Sequence, residues 1–365
     1  MAADPNDTSA KLRYLKLLLG DEAWRQAEGL AGEIVALKPG PSVVAEAGRA
    51  FLDAKRYATA KELLQQCSQA PDATLDLAIA VFHADGADAG LQLMDVVPQA
   101  QRDGDYYLAR AQMLDQCGRF LEAAAAAQQA LRAAPTRVEL YCQVTLFLIK
   151  NGRVLQALDL LDQANRYVPG DPSILLAKVI SLEVAAKSVE AATLLKKIER
   201  RWPEWSEAHL VDGIILQTHR SPEEALRELT TATALGAREP AAYYYLAEAT
   251  LQARPDQSEA AQKAIQEALA LDSEDPWAHA LAGRICYERG QYDDALKELQ
   301  EAVRLRPRMV QAHYNLARVY SALGRSQDAR NESEQVRDLR ERFPHEAEDP
   351  DLLHSNLFGV TFLPH

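Results

Sequence analysis

A short apolar pattern recurs along the chain with the spacing of one face of an α-helix. An alanine is followed by an apolar residue four positions later and a small residue seven positions later, as in YDDALKELQEAVRLRP (292–307). These offsets fall on one stripe of a helix, because an α-helix has 3.6 residues per turn. Large and small residues that alternate along the stripe let two helices approach closely. The pattern therefore predicts helices that pack along their length.

Ten alanines anchor this pattern, and six of the nine intervals between them are 34 residues long. The anchors are Ala27, Ala60, Ala89, Ala123, Ala157, Ala191, Ala225, Ala261, Ala295 and Ala329. Proline often follows twelve residues later and ends the helix, while a glycine five residues before the anchor often separates it from another helical stretch. Each unit is thus predicted to be a helical hairpin that buries its apolar face only by stacking on neighbours.

A helical hairpin of 34 residues with these landmarks resembles the tetratricopeptide repeat (TPR) family. The resemblance covers about residues 8–343 and is strongest in WAHALAGRICYERGQYDDALKELQEAVRLRP, which carries Gly283, Gly290, Tyr292, Ala295 and Leu299 at the family's signature places. It implies an all-α fold, a right-handed α-α superhelix (solenoid) of about ten TPR-like helix–turn–helix hairpins. Two units depart from the pattern, around Ala89 and around Ala261.

The repeat pattern divides the chain into three parts. Residues 1–7 are expected to be an N-terminal leader, residues 8–343 the solenoid, and residues 344–365 an acidic linker plus an apolar C-terminal tail. The tail sequence LLHSNLFGVTFLPH has no helical partner in the repeat pattern. Because a free apolar tail promotes aggregation, we expect it to dock on its own groove, on the last hairpin or on another chain, which includes self-association.

Charge and composition narrow the classes of partner. Lys plus Arg number 40 and Asp plus Glu 53, so the net charge is 40 − 53 = −13, which argues against nucleic acid. No apolar stretch reaches the roughly 18 residues of a membrane span. The first twenty residues lack the pattern of a signal peptide, so a cytoplasmic location is expected, or a periplasmic one if a signal peptide has been removed. Four widely spaced cysteines fit buried thiols in a reducing compartment.

The resemblance implies that the first helix of each hairpin lines a concave groove. Aromatic residues and arginine anchor peptide ligands, and arginine can contact a carboxylate with two hydrogen bonds. The predicted ligand-binding residues are Tyr244, Tyr245, Glu248, Trp277, Arg284, Tyr287, Tyr314, Asn315 and Arg318. The predicted apolar part of the groove comprises Leu146, Ile149, Leu176, Ile180, Leu210 and Ile214.

Histidine replaces the family's tryptophan at one place in three repeats, His209, His279 and His313. This spacing suggests a metal hypothesis, but packing between hairpins explains the same residues, so no metal site is predicted. His345, Glu346, Asp349, Asp351 and His354 are likewise interpreted as part of an acidic linker. The sequence contains none of the GxSxG, P-loop, GxGxxG or HExxH motifs, so no catalytic residue, cofactor or enzymatic activity is predicted.

These observations favour a non-enzymatic protein–protein interaction scaffold or assembly factor that binds a peptide or partner segment in its groove. Two alternatives stay open. One is a structural component of a bacterial envelope assembly or export machine. The other is a binder of a lipid or glycan chain in the apolar part of the groove.

Overall fold

The computed structural model describes residues 7–21, 23–67 and 73–343. The chain divides into two compact units, residues 1–147 and residues 148–365. The described residues contain 20 α-helices, two short 3₁₀ helices and no β-strand, so the all-α solenoid class is confirmed. None of the helices in these residues is long and apolar enough to cross a membrane. A single array over residues 8–343 and its right-handed twist stay predictions.

The first unit contains four helical hairpins, each made of two consecutive helices. Their helices are α1 (Thr8–Gly20), α2 (Trp24–Ala36), α3 (Pro41–Asp53), α4 (Tyr57–Gln66), α5 (Ala73–Asp85), α6 (Ala87–Met94), α7 (Gly104–Gln116) and α8 (Phe120–Ala133). Asp7 caps α1, because its carboxylate accepts hydrogen bonds from the backbone N–H groups of Ser9 and Ala10. Helix α1 thus begins at Thr8, directly after its capping residue.

Helix α9 (Val138–Lys150) runs across the boundary between the units. The second unit continues with α10 and five hairpins. Its helices are α10 (Val154–Tyr167), α11 (Pro172–Val184), α12 (Ser188–Arg201), α13 (Ser206–Thr218), α14 (Pro222–Ala234), α15 (Pro240–Ala253), α16 (Ser258–Leu271), α17 (Pro276–Glu288), α18 (Tyr292–Leu305), α19 (Val310–Ala322) and α20 (Ser326–Arg342).

The anchor alanines are the points of closest packing. Eight of the ten have 0% of their surface exposed, and Ala329 has 8% exposed. Ala89 is only half-buried, and Gly90 beside it takes the buried place. A Cβ atom on Gly90 would lie 2.8 Å from the Cβ of Phe82, so no larger residue fits there without movement. The irregular third hairpin therefore shifts its contact point by one residue, which corrects the alignment on Ala89.

The leucine four residues after an anchor packs into a notch in the first helix of the same hairpin. A Cβ atom on Gly213 would lie 2.5 Å from the Cγ of Leu229, and one on Gly283 would lie 2.5 Å from the Cγ of Leu299. In both hairpins the glycine removes the side chain that would hold the helices apart. This close approach explains why the pattern requires small and large residues in alternation.

The turn inside the hairpin has the same backbone conformation in seven hairpins. Five residues before the anchor, φ is positive whether the residue is Gly118, Gly152, Gly290 or Gly324, or a residue with a side chain. The residues of the second kind are Lys55, Ala186 and Arg220. The next residue donates its N–H to the carbonyl five residues back, as Lys187 does to Leu182 at 2.9 Å. This is a helix C-cap of the Schellman type, which favours glycine.

We predict that Ala186→Gly stabilises the protein by about 1 kcal/mol, because a left-handed conformation costs a residue with a Cβ about that much. The reciprocal change Gly290→Ala is expected to destabilise by a similar amount. Urea-unfolding midpoints of both variants measure the effect. A destabilising Ala186→Gly would contradict the turn geometry described here.

Candidate functional site

The first helices of three successive hairpins in the second unit form a pocket of about 300 Å³. Helix α15 contributes Tyr244 and Glu248, helix α17 contributes Trp277 and Arg284, and helix α19 contributes Asn315. Five of the nine predicted ligand-binding residues therefore lie around one cavity. Its volume is at the lower end of the range of small-ligand pockets.

Three arginines, Arg284, Arg306 and Arg340, line this pocket together with one glutamate, Glu248. The guanidinium of Arg306 lies 5.0 Å from the ring centre of Trp277, close enough for a cation–π interaction. The local charge is therefore positive, although the chain as a whole is acidic. A positive pocket attracts carboxylate or other anionic groups.

Two side chains of the pocket have buried polar atoms without hydrogen-bond partners among the described residues. Both amide atoms of Asn315, Nδ2 and Oδ1, lack a partner although only 2% of the residue is exposed. The Nε of Arg284 is also buried and unpartnered. A buried polar group without a partner costs about 1–3 kcal/mol, so these atoms are suited to receive a ligand.

Burial changes the acid–base properties of the pocket wall. Burial raises the pKa of the Glu248 carboxyl, and the positive charge of Arg284 offsets part of that rise. Burial also raises the pKa of Tyr244 well above its ordinary value, and the negative charge of Glu248 adds to this effect. Tyr244 is therefore a neutral phenol at physiological pH.

The other four predicted residues lie outside the pocket lining. Arg318 stacks over Tyr287, with its guanidinium carbon 4.3 Å from the ring centre, and lies 5.9 Å from that of Tyr314. Tyr314 is the most accessible of the nine, with 47% of its surface exposed. Tyr245 is buried and packs edge-to-face on Tyr244 with ring centres 5.1 Å apart. Arg318, Tyr287 and Tyr314 therefore form an arginine–tyrosine stack. Tyr245 instead packs against Tyr244 in the wall of the pocket.

The residues of the predicted apolar part of the groove are mostly buried. Leu176, Ile180, Leu210 and Ile214 have 0% of their surface exposed, and Ile149 has 7% exposed, so the structure assigns them to the core. Leu146 is half-buried. None of these side chains lines the pocket on α15, α17 and α19.

Several residues of the pocket were missed from the sequence. Arg306 and Met309 lie in the loop between α18 and α19, and Arg340 lies on α20, the second helix of its hairpin. The prediction considered only first helices, so it passed over loops and second helices. Arg306 stands directly before the repeat proline Pro307, and that position could have identified it from the sequence. Nothing in the repeat pattern distinguishes Arg340.

The three histidines of the repeat share one arrangement. Nδ1 of His209, His279 and His313 lies 2.8, 2.7 and 2.6 Å from the carboxylate of Glu228, Glu298 and Glu332, respectively. Nε2 of each ring lies 2.9–3.1 Å from a backbone carbonyl six residues earlier. The phenol of Tyr141 donates to the carbonyl of Pro135 at the same spacing. These rings therefore tie the loop between hairpins to the helix that follows it.

The pKa of His279 is raised, chiefly by the hydrogen bond to Glu298, against the opposing effect of burial. Both ring nitrogens face acceptors, so the doubly protonated imidazolium satisfies both contacts. The free energy that this cation contributes is complete below the unfolded pKa of about 6.5. It is lost as the pH rises through the higher pKa of the folded state.

The helices and the pocket define a class of protein: stacked helical hairpins with a positive pocket formed mainly by first helices. Family models for tetratricopeptide repeats match residues 212–276, 256–303 and 310–341, and a TPR repeat model matches residues 283–324. The chain therefore belongs to the tetratricopeptide repeat proteins, as the sequence resemblance indicated. No curated protein matches the chain.

Solved structures share the fold at low sequence identity. Yeast Tom70 superposes with a TM-score of 0.60 and is 16% identical over 84% of this chain and 64% of Tom70. Pseudomonas aeruginosa PilF has a TM-score of 0.49 and is 16% identical over 59% of this chain and 96% of its own. Desulfovibrio magneticus MamA has a TM-score of 0.39 and is 24% identical over 46% of this chain and 94% of its own. Tom70 supports the fold alone, and the other two likenesses carry no further argument.

The C-terminal tail and the residues of the acidic linker, including His345, Glu346, Asp349, Asp351 and His354, lie outside the described residues. Their docking and self-association stay predictions.

For the histidine pairs, we predict that Glu298→Gln destabilises the protein by about 1 kcal/mol at pH 6 and by less at pH 9, because only the imidazolium gains from the carboxylate. Nuclear magnetic resonance titration should also show a lower pKa for His279 in the variant. Glu259→Gln, at an exposed pair with Lys263, is the control and should have little effect at either pH. Equal destabilisation by Glu298→Gln at both pH values would contradict the role of the imidazolium.

Proposed function

We propose that this protein is a non-catalytic interaction scaffold whose second unit binds an acidic segment of a partner protein in the pocket on α15, α17 and α19. The observation that carries the proposal is the pair of unpartnered buried groups, the Asn315 amide and the Arg284 Nε, in a pocket with two further arginines. A carboxylate from a partner would accept hydrogen bonds from these donors and from the arginines. Hydrogen bonds with a charged partner are the stronger kind.

The aromatic residues give the site a second mode of recognition. Trp277 forms part of the pocket, and the Arg318 stack with Tyr287 and Tyr314 leaves Tyr314 half exposed. Aromatic side chains provide large contact area at low entropic cost, and they are enriched among the residues that dominate binding energy. We infer that the partner segment presents an acidic residue to the pocket and an apolar residue near it.

The two alternative functions have less support. The lipid or glycan alternative depended on an apolar groove, and four of its residues are fully buried. For a role in an envelope assembly or export machine, the described residues provide no specific supporting contact. A scaffold that binds a peptide is therefore the function that the pocket supports best.

We expect that random peptides displayed on phage and selected on the intact protein are enriched in Asp and Glu. Arg284→Gln and Asn315→Leu should each weaken a selected peptide at least about tenfold, because a hydrogen bond to a charged group contributes about 1.5–3 kcal/mol. Fluorescence anisotropy with the labelled peptide measures the loss.

Arg227→Gln is the matched control, because Arg227 is an exposed arginine of the same unit on α14, and it should bind normally. Circular dichroism should show equal helicity in all variants. Selected peptides without an acidic preference, bound equally by all variants, would overturn the proposal.

A further inference from the structure

A cluster of metal-ligating side chains lies outside the peptide pocket, where three helices of the second unit meet. Glu199 on α12, His209 on α13 and Glu228 on α14 each offer one ligand atom, and these atoms all lie within 4.8 Å of one another. A single ion could therefore be reached by all three side chains with small rotamer changes. We propose that Glu199, His209 and Glu228 bind a divalent transition-metal ion of the zinc class, which links one hairpin to the next.

The histidine is oriented in the way that a metal ligand requires. Its Nε2 lies 3.1 Å from the carbonyl oxygen of Pro203, and a carbonyl only accepts, so this nitrogen carries a proton. The Nδ1 nitrogen then faces Glu228 Oε2 at 2.8 Å. Histidines that bind metals commonly donate the second ring N–H to a carbonyl or carboxylate, which fixes the ring. A metal ion would take the place of the proton between Nδ1 and the carboxylates.

One carboxylate oxygen of Glu199 is buried and unused. Glu199 Oε1 has no hydrogen-bond partner among the described residues, although it is buried from water. Glu199 also shares a hydrogen bond with Asp212 on α13, which orients the carboxyl group. A buried polar atom without a partner costs free energy, and coordination of a cation would recover it.

The other two histidine repeats provide an internal comparison. Ten residues before His279 and His313 stand Leu269 and Val303, where the His209 repeat has Glu199. Three residues after those histidines stand Ala282 and Leu316, both buried, where the His209 repeat has Asp212. Packing therefore calls for apolar residues at both places. The His–Glu pair occurs three times, and of the three repeats only the one with His209 has carboxyl groups at these two places.

The donor set indicates the kind of ion. One imidazole nitrogen with carboxylate oxygens is a common set for Zn²⁺ and its transition-metal neighbours. Mg²⁺ and Ca²⁺ prefer oxygen ligands alone, so they are expected to bind poorly here. Because the three ligands come from three helices, a bound ion would resist separation of the hairpins, and its binding free energy would add to the stability of the unit.

The test is Zn²⁺ binding by the intact chain, measured by competition with a chromophoric chelator and by the thermal midpoint. Wild-type protein should bind Zn²⁺ and unfold at a higher temperature with it, and Mg²⁺ should give no shift. Glu199→Leu introduces the residue that stands ten positions before His279, namely Leu269. This variant should lower the affinity for Zn²⁺ by about 100-fold or more and abolish the thermal shift. Because leucine suits this packing position, the variant is expected to fold.

Glu298→Gln is the matched control, because it disrupts a His–Glu pair that lacks the third carboxylate, and it should keep wild-type affinity for Zn²⁺. Visible absorption of bound Co²⁺ reports the ligand set directly and should disappear in Glu199→Leu and in His209→Phe. Absence of Zn²⁺ binding by the wild type, or equal binding by Glu199→Leu, would overturn the proposal. Neither result bears on the peptide pocket, which shares none of these residues.

Discussion

The close approach of two helices at a small residue is the contact on which the rest of this structure depends. The anchor alanine is buried in nearly every hairpin, and the leucine four residues later enters the opposite helix where Gly213 or Gly283 leaves room. Each hairpin still exposes an apolar face until a neighbour covers it. The structure therefore needs both the contact between helices within a hairpin and the stacking between hairpins. The 34-residue interval follows from repeating that unit.

Because the packing contacts occupy fixed places, the remaining places on the first helices are free to differ. The ninth residue of five successive first helices is Ile180, Ile214, Glu248, Arg284 and Arg318. The first two are buried, and the next two line the positive pocket. A change of residue type at one repeated place therefore accompanies a change from core to pocket lining, while the helical framework stays the same. The repeated histidine position also varies in its surroundings. The His–Glu pairs of His279 and His313 connect a loop to a helix, and the repeat with His209 has Glu199 and Asp212 near the same pair.

The helices, hairpin turns and ends of the repeat units could be predicted from the sequence, because they depend on local periodicity and on glycine and proline. Part of the pocket could also be predicted, namely Tyr244, Glu248, Trp277, Arg284 and Asn315, because the family resemblance places them on first helices. Exposure could not. Leu176 and Glu248 both belong to first helices, and only tertiary packing decides that Leu176 is fully buried and Glu248 half-buried. Arg340 and the shift from Ala89 to Gly90 likewise depend on contacts between distant parts of the chain.

The central claim is that the unpartnered groups of Arg284 and Asn315 receive an acidic group from a partner. A crystal structure of the intact protein with a selected acidic peptide tests this most directly. The account predicts a peptide carboxylate within hydrogen-bonding distance of Asn315 Nδ2 and Arg284 Nε, with Trp277 against the peptide. A peptide bound on another face, with the amide of Asn315 still unpartnered, would contradict it.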